Sequence, residues 1–253
     1  MAVSVLALPL ALAGAAGLVG AFAVMRRMSL ASDALSHVAL PGIGLAFVLK
    51  LNPVLGGITA LLAGVVLVWA LEHRTRIATE AIIGVVFSAA LAVGSMLASG
   101  EQLIEALFGA ESTPGPVETG IGLFGAAAVV AYILWARHRL VIALVSGDLA
   151  RTAGIDVDRL DLLFLTAFAL TVALGLRYLG VLLMGSLIII PATTARYVAR
   201  GLSGMLAGSA ILAVISMAAG IGGARLVHAA PGPLVIAAAA VCFLIAVILP
   251  KRN

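Results

Sequence analysis

The chain is expected to be an all-α polytopic membrane protein, and three observations lead there. Of its 253 residues, 63% are hydrophobic and only 10% are charged, against roughly 45–50% and about 25% in ordinary soluble domains. Mean hydropathy is +1.24. The charged residues also cluster between apolar runs about as long as the 20 or so residues that a membrane helix requires. A soluble body this size could not cover its surface with so few polar groups.

Other classes fall away on the same grounds. The single cysteine, Cys242, lies in an apolar run, so no disulfide framework or thiolate cluster can form. The net charge of +4 is scattered singly and in pairs between apolar runs, which does not suit a nucleic-acid partner. There is no G-x-x-x-x-G-K-[ST] loop, no H-E-x-x-H and no G-x-S-x-G. Any use of ATP therefore needs a separate subunit, and the commonest hydrolase signatures are missing.

Polar breaks delimit nine candidate spans, near 3–25, 33–50, 53–71, 81–99, 119–136, 162–176, 178–195, 202–224 and 231–249. Eight remain possible if one segment re-enters. The first has no basic residues before it and Arg26-Arg27 after it, which reads as a span inserted with its N-terminus outside and not as a secretory signal. The second is strictly apolar only from Val38 to Leu49 and must extend back through His37 to Asp33 to cross. An outer loop, 100–118, separates the fourth and fifth and carries Glu101, Glu105, Glu111 and Glu118 around a Ser112-Thr113-Pro114-Gly115-Pro116 turn. The longest inner loop, 137–161, has a partly helical pattern. Only Arg177 and Tyr178 divide 162–176 from 178–195, and Pro191 predicts a kink in the latter. Gly204 and Gly208 give the next span a small-xxx-small spacing. No stretch resembles a soluble domain, so 1–253 is one membrane domain.

Orientation follows from counting Lys and Arg in short loops. With the first loop inside, the inner loops hold Arg26, Arg27, Arg74, Arg76, Arg137, Arg139, Arg151, Arg159, Arg196, Arg200, Lys251 and Arg252. The outer ones hold only Lys50, Arg177 and Arg225. Twelve against three puts the N-terminus out and the C-terminus in the cytoplasm of a plasma or inner membrane.

The second span carries the chemistry. Asp33 and His37 are spaced i and i+4, so they share one helix face at or near hydrocarbon depth. Ionisable groups there are costly and point to function. A carboxylate and an imidazole on one face make half of a site for a divalent transition metal, the remainder coming from water, another helix or a second copy. Pro41 cannot donate to the carbonyl of His37, leaving that oxygen available to water or an ion, a possible gating kink. The alternative is purely structural: Ser32-Asp33 capping a helix and His37 bonding a neighbour. His73 and His138, beside Arg74 and Arg139, read as solvated inner-loop residues, and His228 as an outer-loop one.

At these residues the chain resembles the permease subunits of ABC transporters for zinc, manganese or iron, the ZnuB/MntB-like class. The similarity starts at Met25-Arg26-Arg27-Met28-Ser29-Leu30 and continues through Asp33 to Gly42. It returns at 80–88, Leu107-Phe108-Gly109, Ser146 to Gly154, and Leu182 to Arg196, in the family's order and over nearly the whole chain. Glu80 stands where the family pattern has Asp, and the loop after Gly109 is richer in Pro and Gly. The resemblance implies a type II ABC importer-like bundle. Two copies would line one pathway, two copies of a cytoplasmic ATPase would drive it, and an extracytoplasmic metal-binding protein would deliver the ion. It implies a metal-coordinating role for Asp33 and His37. It maps the ATPase-coupling helix onto Gly147, Asp148, Leu149, Ala150, Arg151, Ala153 and Gly154, within a loop of about 146–156.

The residues themselves support a short surface helix there. Asp148 sits near its start, Gly154 at its C-terminal cap, and Leu149, Ala150 and Ala153 form an apolar face. The expected function is the pathway subunit of an ATP-driven metal importer: a transporter, not an enzyme, with no bound cofactor and the metal as cargo. Zinc is favoured, then manganese, then iron. An ion-coupled secondary transporter or channel using the same pair is the alternative, and a membrane-embedded enzyme ranks last for want of further buried ionisable groups.

Overall fold

The computed structural model describes residues 2–28, 31–75, 77–97, 115–179, 181–228 and 230–248. Among them there is no strand. The helices, in order, are α1 (Ala2–Met25), α2 (Ala31–Val48), α3 (Pro53–Arg74), α4 (Thr79–Leu97), α5 (Pro116–Val145), α6 (Gly147–Thr152), α7 (Val157–Leu179), α8 (Val181–Val198), α9 (Leu202–Val227) and α10 (Pro231–Ile248). An all-helical bundle is what a lipid solvent requires, because only helices and closed barrels satisfy every backbone group internally.

The expectation of nine spans is met in part. Among the described residues, seven helices are long and apolar enough to cross a bilayer: α1, α3, α4, α5, α7, α9 and α10. The other two are α2 and α8, 18 residues each, whose described apolar stretches are Ala34–Val48 and Leu183–Val198. Each has a proline inside it, Pro41 and Pro191. In α8 the apolar run gives way to Thr193, Thr194 and Arg196, and Arg196 Nη1 donates 2.9 Å to the Val24 carbonyl. The ambiguous stretch 162–195 resolves into two helices, with α7 beginning five residues earlier, at Val157. The inner loop at 137–161 is mostly helical, since α5 runs on to Val145 and α6 follows. Most of the outer loop, 98–114, lies outside the described residues.

The core is built around α1, whose Leu8, Leu12, Ala16, Val19 and Phe22 are fully enclosed. It contacts α5, α7, α8 and α9. Small residues let the backbones meet. A Cβ on Gly17 would lie 2.6 Å from the Ser209 carbonyl oxygen, and Ser209 Oγ donates 2.5 Å to the Gly17 carbonyl. With no hydrophobic drive between helices in lipid, such close packing and interhelical hydrogen bonds carry the association. Gly204 and Gly208 prove less intimate, only van der Waals neighbours of Ala199 and Ala195. By contrast α10 is the least covered of the long helices.

Candidate functional site

Helix α2 lies between α3 and α4, with α7 and α8 also against it. Its contact with α3 is backbone to backbone. A Cβ on Gly42 would overlap the Gly56 carbonyl oxygen, and one on Gly56 would overlap that of Gly42. On the α4 side, a Cβ on Gly94 would stand 2.9 Å from Leu40 Cβ and 3.3 Å from the Pro41 nitrogen. The segment Leu40-Pro41-Gly42 is thus clamped between two glycine-lined surfaces. The proline that frees the His37 carbonyl sits where the surrounding backbone is closest.

Burial then singles out the imidazole. Ala34, Leu35, Ser36, Val38, Ala39 and Leu40 are all buried, whereas His37 among them keeps access. The open line continues one turn at a time through Pro41, Leu45 (47% exposed) and Val48 (61%). Asp33 belongs to the same register, four residues before His37 on the same helix. Its side chain lies outside the described residues. The His37 ring packs on Phe87 of α4, with centroids 5.5 Å apart and planes at 56°, and its Nδ1 is buried. Among the described residues, no three His, Cys, Asp or Glu side chains gather into a complete metal cage. An ion on this face would take its remaining ligands from water, main-chain oxygens or another chain.

The short helix α6 is built by its ends. Ser146 is the N-cap, its Oγ accepting 3.2 Å from the Leu149 N–H. Asp148 stands in the first turn, favourable to the helix dipole. At the other end Gly154 has φ +76°, its N–H donates to the Arg151 carbonyl, and Ile155 N–H donates to that of Ala150. Those two bonds are a Schellman closure, which needs the left-handed conformation glycine supplies. Ala150 faces the protein and is fully buried, while Leu149 (57% exposed) and Ala153 face outward. The apolar face expected for the helix is therefore split, with two of its three residues exposed.

An ionic chain ties α6 to the helix beside His37. Arg151 pairs with Asp148 at 3.8 Å and with Asp158 of α7 at 3.5 Å. Asp158 also meets His73 Nε2 at 3.1 Å, and its carbonyl accepts 3.1 Å from Trp69 Nε1. His73 Nδ1 lies 2.8 Å from the Trp69 carbonyl in the last turns of α3. His73 is exposed as expected, but it stands in the last turn of α3 and not in a loop, and it pairs with α7. His138 is exposed as expected, its Nε2 accepting 3.2 Å from Arg137 Nε, and His228 closes α9 in the left-handed region at φ 54°. Pro191 sits within a continuous α8, one turn from where the Ile188 carbonyl abuts Gly20 of α1.

Phe87, Gly56, Gly94 and the His73–Asp158 contact are features of the site not singled out from the sequence. Phe87 fell inside the 80–88 stretch that carried the resemblance, so a signal existed there. The glycines had none, being two among 28.

Comparison with known proteins agrees with this architecture. The high-affinity zinc uptake system membrane protein ZnuB of Haemophilus influenzae is 29% identical over 242 residues, covering 92% of this chain and 91% of that protein. The manganese transport system membrane protein MntC of Bacillus subtilis is 34% identical over 267 residues, covering 98% of this chain and 61% of its own length. Among solved structures, PsaBC from Streptococcus pneumoniae in complex with Fab superposes with a TM-score of 0.83 at 28% identity, over 98% of this chain and 92% of that one. Residues 1–250 match the profile of a single family, and the chain belongs to the ABC 3 transport family.

Proposed function

We propose that the chain is the membrane-spanning permease of an ATP-driven importer of a divalent metal, zinc first, with manganese or iron as the other cargoes. Two copies would enclose the pathway. The observation that carries this is the line of access along α2: between the buried residues 34–36 and 38–40, His37 is partly exposed, and the line continues through Pro41 to the exposed Leu45 and Val48. A carboxylate and a neutral imidazole on that face would replace part of the ion's hydration shell. The relatives' names, zinc uptake in one case and manganese transport in others, support the cargo class.

The driving ATPase would dock at α6, where Leu149 and Ala153 are exposed on a helix fixed at both ends, and an extracytoplasmic metal-binding protein would load the opposite face. ATP can move the ion only by shifting the permease between states that bind it differently. Pro41 and Pro191 are the places where α2 and α8 could bend between such states. The test is metal-dependent ATP hydrolysis by the complex reconstituted in liposomes, compared between the wild type and the Asp33→Ala/His37→Ala variant. Loss of metal stimulation with assembly intact supports the reading. Undiminished stimulation, or metal uptake by the permease alone without any ATPase, overturns it.

A further inference from the structure

Helix α5 presents one face that is exposed among the described residues. Val117 (76% exposed), Ile121 (62%), Phe124 (77%) and Trp135 (61%) stand on it at helical spacing, with alanines filling the positions between them. Opposite them Gly122, Ala126, Val129, Ile133 and Ala136 are buried. From Phe124 to Trp135 the stripe rises about 16 Å, close to half of a roughly 30 Å hydrocarbon core. At its end the character changes abruptly. Arg137, His138 and Arg139 follow, and the Arg139 guanidinium lies 4.4 Å over the centre of the Trp135 ring.

That stacking fixes Arg139 without using its hydrogen-bonding edge, because a guanidinium laid flat on an aromatic ring keeps its in-plane N–H donors free for a planar or tetrahedral anion. Arg137 steadies the neighbouring ring by donating Nε to His138 Nε2 at 3.2 Å. Among the described residues, the ion pairs at this end of the bundle engage Arg26, His73, Arg151 and Arg159, and no carboxylate pairs with Arg137 or Arg139. Tryptophan favours the membrane interface, and basic residues beside it attract anionic headgroups. We propose that this face holds an anionic phospholipid, its acyl chain along Phe124–Trp135 and its phosphate at Arg139 and His138. The match of stripe length to one leaflet, and of the exposed Arg139 and His138 at its end to a single anionic headgroup, selects a lipid over a protein partner.

The chain has two tryptophans, so Trp69→Phe leaves Trp135 as the sole indole reporter. The full-length variant is placed in phosphatidylcholine vesicles carrying either brominated phosphatidylglycerol or brominated phosphatidylcholine, and quenching of Trp135 is compared at equal bromolipid content. Phosphatidylglycerol is expected to be enriched around Trp135 by about five-fold or more, the effect of one to two basic residues at an anionic surface. In Arg137→Gln/Arg139→Gln the two lipids should quench alike. Because Trp69 bonds the Asp158 carbonyl and its loss can perturb folding, the difference between wild type and Trp135→Phe gives the same signal independently. Equal quenching by both lipids in the unmodified site overturns the proposal. So does absence of quenching by either, which would show the face covered by protein, a second copy included.

Discussion

Two glycines decide how near α3 can stand to the candidate pathway. Because Gly42 and Gly56 each place a carbonyl where the other's Cβ would go, neither side can yield without moving a whole helix. Gly56→Val should therefore destabilise the fold by about 1–3 kcal/mol, the usual cost of overpacking a close contact, read as a lowered thermal midpoint in detergent. Lys50 gives the opposite sign. It sits exposed at φ 55° in the closure of α2, where Leu51 N–H meets the Ala46 carbonyl and Lys50 N–H that of Phe47. A left-handed conformation costs a non-glycine residue roughly 1–2 kcal/mol, offset in part by glycine's greater chain entropy. Lys50→Gly should raise the same midpoint, and an unchanged or lower one would show that the lysine side chain contributes more than its backbone costs. His37 was legible in the sequence because an ionisable group among apolar ones breaks a pattern. Gly56 was not, since a chain with 28 glycines offers no local sign of which of them bear a crossing.

Helix boundaries show the same division. Gly154 and Asp148 were readable as the ends of a short helix, because capping chemistry is local and a single sequence carries it. The N-cap itself is Ser146, two residues earlier. Replacing it with Ala should cost α6 about 1 kcal/mol. Gly154→Ala should cost a similar amount, through strain alone, since a Cβ there would meet open space. Faster amide exchange across 147–155 with the rest of the chain unaffected would confirm both; uniform exchange would mean α6 is held by its neighbours and not by its caps. The span count was readable in part: each of the nine candidate runs falls largely on a helix, while His37 and Pro41 in α2, and Pro191, Thr193, Thr194 and Arg196 in α8, thin the apolar stretches of those two.

Across the bundle, α6 and α2 are joined by a short series of contacts. Arg151 of α6 pairs with Asp158 of α7, Asp158 with His73 of α3, and α3 meets α2 at Gly56 and Gly42, one turn beyond His37. None of this series could be read from the sequence, because its members are separated by many residues and become neighbours only in the fold. Contiguity alone does not establish coupling; a measured change in coupling does. The side chains of these ion pairs are 28–61% exposed, so their worth to stability is small, about 0–1 kcal/mol. Asp158→Asn should accordingly leave the folded fraction nearly unchanged. In the proposed complex with an ATPase it should lower the ratio of metal-stimulated to basal ATP hydrolysis by roughly 2- to 30-fold, the range of mutations along a coupling network. His73→Gln should do the same, whereas Arg159→Gln, which breaks only the exposed Arg159–Asp156 pair within one turn, should not. If all three variants keep the wild-type ratio, α6 communicates with α2 through the rigid packing of α7 and α3 and the ionic series is only a surface tie.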